Sequence, residues 1–202
     1  MNIHRIVDSV LHQAGRRAGL HVLRVFSRPL RSAARGTQPP GLELRPLGME
    51  EVLAQGREPG LELREAMIRG SYARGDRCVG ALDAGALVGY VWFAYETAPH
   101  VDGIAVKVPA HVVYRFKAFV RPSHRGLGIA AALYDMADPH VGRPGRDTIV
   151  DCVAPQNRPS VAATLRSGSR PLGALAYWRA AGGFASFHSS AVRRLGLRFH
   201  RT

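Results

Sequence analysis

Between Phe119 and Leu133 the chain reads Phe-Val-Arg-Pro-Ser-His-Arg-Gly-Leu-Gly-Ile-Ala-Ala-Ala-Leu, and the chemistry of that run is anion binding. Pro122 stops a strand that ends at Val120. Gly126 and Gly128, on either side of Leu127, open backbone conformations closed to other residues, and Ala130 to Ala132 permit close helix approach. A helix starting at Ile129 leaves its first amide N–H groups without intrahelical partners, and its dipole adds partial positive charge there. Arg121 and Arg125 place formal charge beside that end. An anion with several oxygens, such as a pyrophosphate, is suited to it.

Two other phosphate-binding arrangements do not fit. A dinucleotide fold needs a glycine-rich turn after its first parallel strand and an acidic residue about twenty positions on. Here the loop follows several strands and lies past the midpoint of the chain. The nucleoside-triphosphate loop needs Gly-Lys-Ser/Thr, which is absent. Downstream, Asn157 in Asp-Cys-Val-Ala-Pro-Gln-Asn-Arg-Pro-Ser (151–160) can cap the helix that begins near Pro159. The nine histidines form no HxxxH pair, so no metal site is expected. Cys78 and Cys152 sit in apolar runs without paired spacing, as core residues of a protein from a reducing compartment would.

The elements that must position this loop alternate in period. Residues 42–47, 78–82 and 86–95 read as strands, the last two joined by a tight turn at Asp83, Ala84 and Gly85. Another strand is expected within 102–108, and 111–120 is the most strand-like run. Helices are expected over 50–54, 61–69, 129–137 and 160–166, and further strands over 148–153, 172–179 and 184–192. Helices and strands alternate only in the second half, which predicts an α+β fold with a mixed, mostly antiparallel sheet of about seven strands.

The net charge of +13 is concentrated at the ends. Residues 1–40 carry +6 and residues 191–202 carry +4, leaving +3 for the centre. Lys107 and Lys117 are the only lysines. Without aromatic interleaving or a recognition motif, no specific nucleic-acid partner is expected. Residues 3–19 have the spacing of a short amphipathic helix and 20–26 that of a strand, followed by a Pro- and Gly-marked linker to residue 41. This front either packs on the domain or touches a membrane surface or partner through residues 1–26. The expected organisation is a basic extension over 1–41, a domain over 42–192 and a basic tail over 193–202. No apolar run is long enough to span a bilayer and no cleavable leader is evident, so a soluble, cytoplasmic protein is expected, as a monomer or a homodimer.

Arg125, Gly128 and Ala130, as R-x-x-G-x-A between a strand and an apolar helix, resemble the coenzyme A loop of the GNAT superfamily of N-acetyltransferases. Asn157 and Ser160 resemble that family's Asn-x-x-Ala/Ser helix start, and the likeness covers about residues 42–192. The resemblance implies a sheet splayed at the strand before the loop, and acetyl-coenzyme A as co-substrate without a metal. It further implies an amine of some acceptor that attacks the thioester directly. The coenzyme would be met by Phe119, Val120, Arg121, Arg125, Gly126, Leu127, Gly128, Ile129, Ala130 and Asn157, with backbone N–H at Phe119 or Val120 facing the oxyanion. The family often protonates the departing thiolate with a tyrosine. Thr164 stands at that position without gaps, and Tyr177 would stand there only with an insertion of about a dozen residues. Glu96 and Asp151 are the first candidates for the base that takes the amine's proton, with His100 and His111 beside them. A GNAT-like module that binds the coenzyme without efficient transfer is the other function that fits.

Overall fold

The structure is a computed structural model and describes residues 19–101, 103–180 and 183–202. The helix expected from residue 3 onward lies outside the described residues. In chain order the elements are β1 (Leu20–Pro29), β2 (Leu42–Leu47), α1 (Met49–Gly56), α2 (Glu65–Ala73), β3 (Arg77–Asp83), β4 (Ala86–Ala94), β5 (Thr97–Val101), β6 (Ile104–Lys107) and β7 (Val112–Val120). After a short 3-10 turn at Pro122–His124 come α3 (Ile129–Met136), α4 (Asp138–Val141), β8 (Thr148–Val153), α5 (Arg158–Arg166), β9 (Arg170–Ala180), β10 (Gly183–His188), α6 (Ser190–Leu195) and β11 (Arg198–Arg201). None of the described helices is long and apolar enough to cross a membrane.

Eight strands form one sheet in the order β10-β9-β1-β8-β7-β4-β3-β2, and β11-β6-β5 form a second. Pairing is antiparallel except between β7 and β8. The class is therefore the mixed α+β one read from the sequence. The sheet has one strand more than expected, because the segment at 20–29 enters it. β1 lies between β8 and β9, burying Leu23, Val25 and Phe26. At about 1.5–3 kcal/mol for each large apolar side chain removed from water, those three hold the segment in place. Its arginines do not stop this, because one of them, Arg28, is answered by a buried carboxylate described below.

Three packed clusters follow from the faces of the sheet. Val91, Phe93, Val113 and Ile149 pack under α3 and α4, with Ile129 and Leu133 above them. Trp92, Tyr90 and Leu87 pack under α1 and α2 with Val52 and Ile68. Leu23, Val25, Tyr114 and Tyr177 face the second sheet through Ile104, Val106 and Phe199. The β3–β4 hairpin turns through Ala84 (φ 46°) and Gly85 (φ 84°), the two left-handed residues that its two-residue turn demands.

The strand β5 and the short helix α4 have no counterpart in the sequence reading, and three further elements depart from it. The helix expected over 61–69 begins only at Glu65, because Gly60 (φ 83°) and Glu62 (φ 54°) hold the chain out of helical backbone while Leu61 is sunk in the core. The strand expected over 184–192 stops at His188, and Ser190–Leu195 is a helix closed by Gly196 in the left-handed region. The basic tail contains β11, where Phe199 is buried between exposed Arg198 and half-buried His200, an apolar anchor masked by the charge around it.

Candidate active site

The loop after β7 is built as the glycines require. Gly126 has φ +87° and Gly128 φ +75°, and Gly128 is the N-cap of α3 without any side-chain cap. Ala132 N makes the first intrahelical bond, to Gly128 O at 3.0 Å, so the amides before it are the helix's unpaired donors. Ile129 is buried and drives that end of the helix into the sheet. It can come so close because residue 89 on β4 is glycine: a Cβ there would lie 3.2 Å from Ile129 Cγ2 and 3.2 Å from the Phe119 carbonyl. Gly89 is a site residue in this indirect sense, and nothing in its sequence neighbourhood announced it.

The two loop arginines differ in employment. Arg121 Nε donates to Leu87 O at 2.9 Å, and its backbone N–H donates to Val88 O at 2.8 Å, which fastens the end of β7 to β4. Arg125 is exposed on the loop and donates from Nε to Val120 O at 3.2 Å. The first arginine holds the scaffold; the second stays at the mouth of the anion site. His124 ties the loop to the β3–β4 turn through Asp83 at 3.2 Å.

The sheet opens beside this loop. β7 and β8 pair in parallel from Val112↔Thr148 to Arg115↔Asp151 and no further. At the same level the register between β4 and β7 jumps from Phe93↔Arg115 to Trp92↔Lys117, so Phe116 is an inserted bulge residue. Beyond it β7 runs along β4 alone. Between the parted strands lies a cleft of about 230 Å³ whose walls include Lys117 and Ala118 on one side and Cys152 to Ala154 on the other. Helix α5 contributes Asn157, Ser160 and Thr164, and α3 contributes Tyr134.

At the crotch of the opening sits a buried ion pair. Arg115 and Asp151 are 4% and 3% exposed, and the guanidinium meets the carboxylate in two bonds, Nε to Oδ1 and Nη2 to Oδ2, the latter at 2.7 Å. The guanidinium also lies 3.5 Å from the centre of the Tyr134 ring. Burial pushes the Asp151 carboxyl upward from its ordinary range, and Arg115 pulls the other way. Asp151, a base candidate in the sequence, therefore occupies the cleft as the bound partner of Arg115. Thr164 lies in the same cleft, 1% exposed, with Oγ1 lacking a hydrogen-bond partner. Asn157 caps α5 by accepting from Ser160 N at 3.3 Å.

Four other candidates are elsewhere. Tyr177 on β9 is buried in the cluster facing the second sheet, stacked on His21 at 4.7 Å and near Phe199 at 5.7 Å. Glu96 is exposed at the β4–β5 junction, where its carbonyl accepts from Val108 N at 2.8 Å. His100 packs edge-on to Tyr177 and Phe199, and burial, with His21 beside it, lowers its pKa to about 4. His111 precedes β7, at the end away from the opening. Of the loop residues, Phe119 pairs with Tyr90 on β4, turns its ring onto that tyrosine and its carbonyl toward Gly89, and is not among the residues that line the cleft, so the expected oxyanion role of its N–H is not supported. The sequence reading passed over Arg115 and Tyr134. Each left a signal: an arginine inside the apolar run Val-Val-Tyr-Arg-Phe, and a tyrosine one helical turn after Ala130 on the same face.

A second groove, of about 580 Å³, runs along α3 from Leu127 and Gly128 to Asp135. Its far wall is the segment 31–40, pinned to α3 by Arg31 bonding Asp135 and by Arg35 N donating to Asp135 Oδ2 at 2.8 Å. The exposed Arg35 and Arg166 border it.

Comparison with known proteins places this geometry. The model of the acetyltransferase (GNAT) family matches residues 48–168, from α1 through the loop to the end of α5. No curated protein matches the chain. Among solved structures it is similar to a GCN5-related N-acetyltransferase from Kribbella flavida (TM-score 0.55, 14% identity, covering 85% of this chain and 64% of that one). It is also similar to one from Sphaerobacter thermophilus (TM-score 0.54, 18% identity, 83% and 54%). A third likeness is to a tandem GNAT protein from the clavulanic acid biosynthesis pathway (TM-score 0.51, 23% identity, 87% and 57%). The chain thus spans between 54% and 64% of the length of these three. With the family model matching more than half of its residues, the chain belongs to the GNAT acetyltransferase family.

Proposed function

We propose that the protein transfers an acetyl or other short acyl group from coenzyme A to an amine, by direct attack within a ternary complex. One observation carries this: β7 and β8 part immediately after Arg115↔Asp151, on the strand that feeds the glycine-capped start of α3. A thioester arm entering that gap meets β7 and β8 edges whose facing amides and carbonyls are not spent on each other. Its pyrophosphate then falls at Gly126 to Ala130, with Arg125 beside it. The nucleotide end runs on into the groove bordered by Arg35 and Arg166.

In this reading the cleft supplies position and a dry environment more than a strong acid or base. Beyond the bulge at Phe116 the β7 edge is unpaired toward β8, and a backbone N–H on that edge would stabilise negative charge developing on the thioester oxygen. Asp151 is engaged by Arg115, so the proton leaving the amine passes to water or to a group that the acceptor brings. Thr164 and Tyr134 are the hydroxyls on the sulfur side. The Tyr134 phenol, held above its ordinary pKa by burial, remains a neutral donor at pH 7.

The test has two stages. Acetyl-coenzyme A at millimolar concentration should raise the melting temperature by ligand linkage. Thiol release in the presence of a panel of amines should then exceed the rate without them. A melting shift without amine-dependent release would leave a coenzyme-binding module, and no shift would sink the reading.

A further inference from the structure

A lysine is among the residues that line the cleft. Lys117 is the residue after the bulge, and its neighbour across the ladder is Trp92, which packs under α1 and α2. Its side chain is 30% exposed, and its Nζ lies 4.0 Å from Glu62 Oε2, beyond hydrogen-bond distance. The chain has one other lysine, Lys107, whose place is the end of β6 in the second sheet.

We propose that Lys117 is itself acylated by the thioester held in the cleft, an inference that rests on the coenzyme reading above. The Nζ lone pair attacks the thioester carbonyl carbon, forming the N–C bond as the C–S bond breaks. Sulfur leaves with the bonding electrons and receives the proton that nitrogen gives up, directly or through water. The products are an Nε-acyl-lysine and free coenzyme A thiol, with nothing oxidised or reduced.

Three features favour this over a passive lysine. Lys117 lines the cleft that the thioester enters in that reading, so attack by its amine there would be effectively unimolecular. Burial lowers the ammonium's affinity for its proton and Arg64 adds to this, while Glu62 opposes them. Among the described residues Glu62 is the one carboxylate paired with Lys117, and its own side chain is 69% exposed, so solvent weakens its grip. Acylation replaces a cation by a neutral amide on the wall where an acceptor must approach. It therefore records the acyl-coenzyme A supply and changes the charge an acceptor meets.

The experiment is incubation of the full chain with acetyl-coenzyme A in the absence of any acceptor, followed by peptide mass mapping. One acetyl group is expected on Lys117, accumulating at least about tenfold faster than on Lys107 through the proximity effect. Excess free coenzyme A should slow it, and thiol release should stop after a single equivalent. Lys117→Arg should abolish that release while keeping the acetyl-coenzyme A melting shift. Equal acetylation of both lysines, or indifference to free coenzyme A, would show ordinary solution chemistry and overturn the proposal. An unmodified Lys117 in a chain that acetyl-coenzyme A does stabilise would overturn it as well, leaving the coenzyme reading intact. With no stabilisation at all, the coenzyme reading falls and takes this one with it.

Discussion

Strand β8 has two edges with opposite fates. Toward β1 it is paired along its whole length, from Arg24↔Val153 to Pro29↔Thr148, while toward β7 pairing ends at Arg115↔Asp151 and the strands part. Each edge carries a buried arginine–aspartate pair. Arg28 on β1 reaches Asp138 in α4 through bonds of 2.5 and 2.6 Å and also donates to Tyr134 O at 2.8 Å. Arg115 reaches Asp151 at the crotch of the cleft. On the closed edge the pair locks a strand between two others; on the open edge it stands where the ladder stops and takes up the charge that opening would otherwise leave bare. The opening is thus a local feature of an otherwise continuous sheet, made by one bulge and held by a fully paired edge behind it.

The two pairs can be told apart by breaking each. Asp138→Ala leaves the Arg28 charge buried and unanswered and should cost about 3–5 kcal/mol of stability in denaturant melts. Asp151→Ala should cost a similar amount, and should in addition weaken acetyl-coenzyme A binding, since it strands Arg115 in the cleft wall. Equal effects of the two variants on coenzyme binding would remove the distinction between the edges.

The closed side also makes a pH prediction. His100 has its pKa pushed down to about 4, so the folded chain holds it neutral while an unfolded chain protonates it near 6.5. Its contribution is complete above that unfolded value and is lost as pH falls through the window down to about 4. The wild type should lose on the order of 3 kcal/mol across this window from His100 alone. His100→Phe, which preserves an aromatic contact with Tyr177 and Phe199, should flatten that part of a melting-temperature profile. The acid limb surviving unchanged would mean that His100 is not its source.

At the loop, stability and binding separate. Gly128→Val forces a branched side chain into φ +75°, which costs about 1–2 kcal/mol of strain, though no atom stands in its way. The larger readout is coenzyme affinity, which should fall by about tenfold or more, equivalent to 1.4 kcal/mol. It can be followed by calorimetric titration of acetyl-coenzyme A into the variant.

What was legible in the sequence divides along the same line. The loop could be read because its requirements are local: a proline stop, two glycines at left-handed positions and a helix in contiguous residues. The mixed sheet was legible from period-two runs for the same reason. The far edge was not, because β1 pairs with strands more than a hundred residues away and its arginines disguise a buried face; Arg28 is answered only by Asp138, on another element. Tyr177 was weighed for the site through the family resemblance, and the fold places it in the cluster facing the second sheet instead. Tyr134 reaches the cleft because α3 and β7 bring it over Arg115, a meeting that neither segment specifies alone.

Asn157 offers the finest cut, because two roles meet in one side chain. Its Oδ1 accepts from Ser160 N and caps α5, while its amide NH₂ remains a donor at the cleft wall. Asn157→Ala removes both, and should cost about 1 kcal/mol of stability from the lost cap together with some coenzyme affinity. Asn157→Asp retains a capping oxygen, and a carboxylate there also suits the helix dipole, so its melting temperature should stay within a degree or so of wild type. The aspartate has no donor for a carbonyl of the coenzyme arm, however, and brings negative charge toward a polyanionic ligand. If the residue serves the cleft as well as the helix, Asn157→Asp should bind acetyl-coenzyme A more weakly than Asn157→Ala despite being the more stable protein. Affinities that simply follow the melting temperatures would reduce Asn157 to a cap.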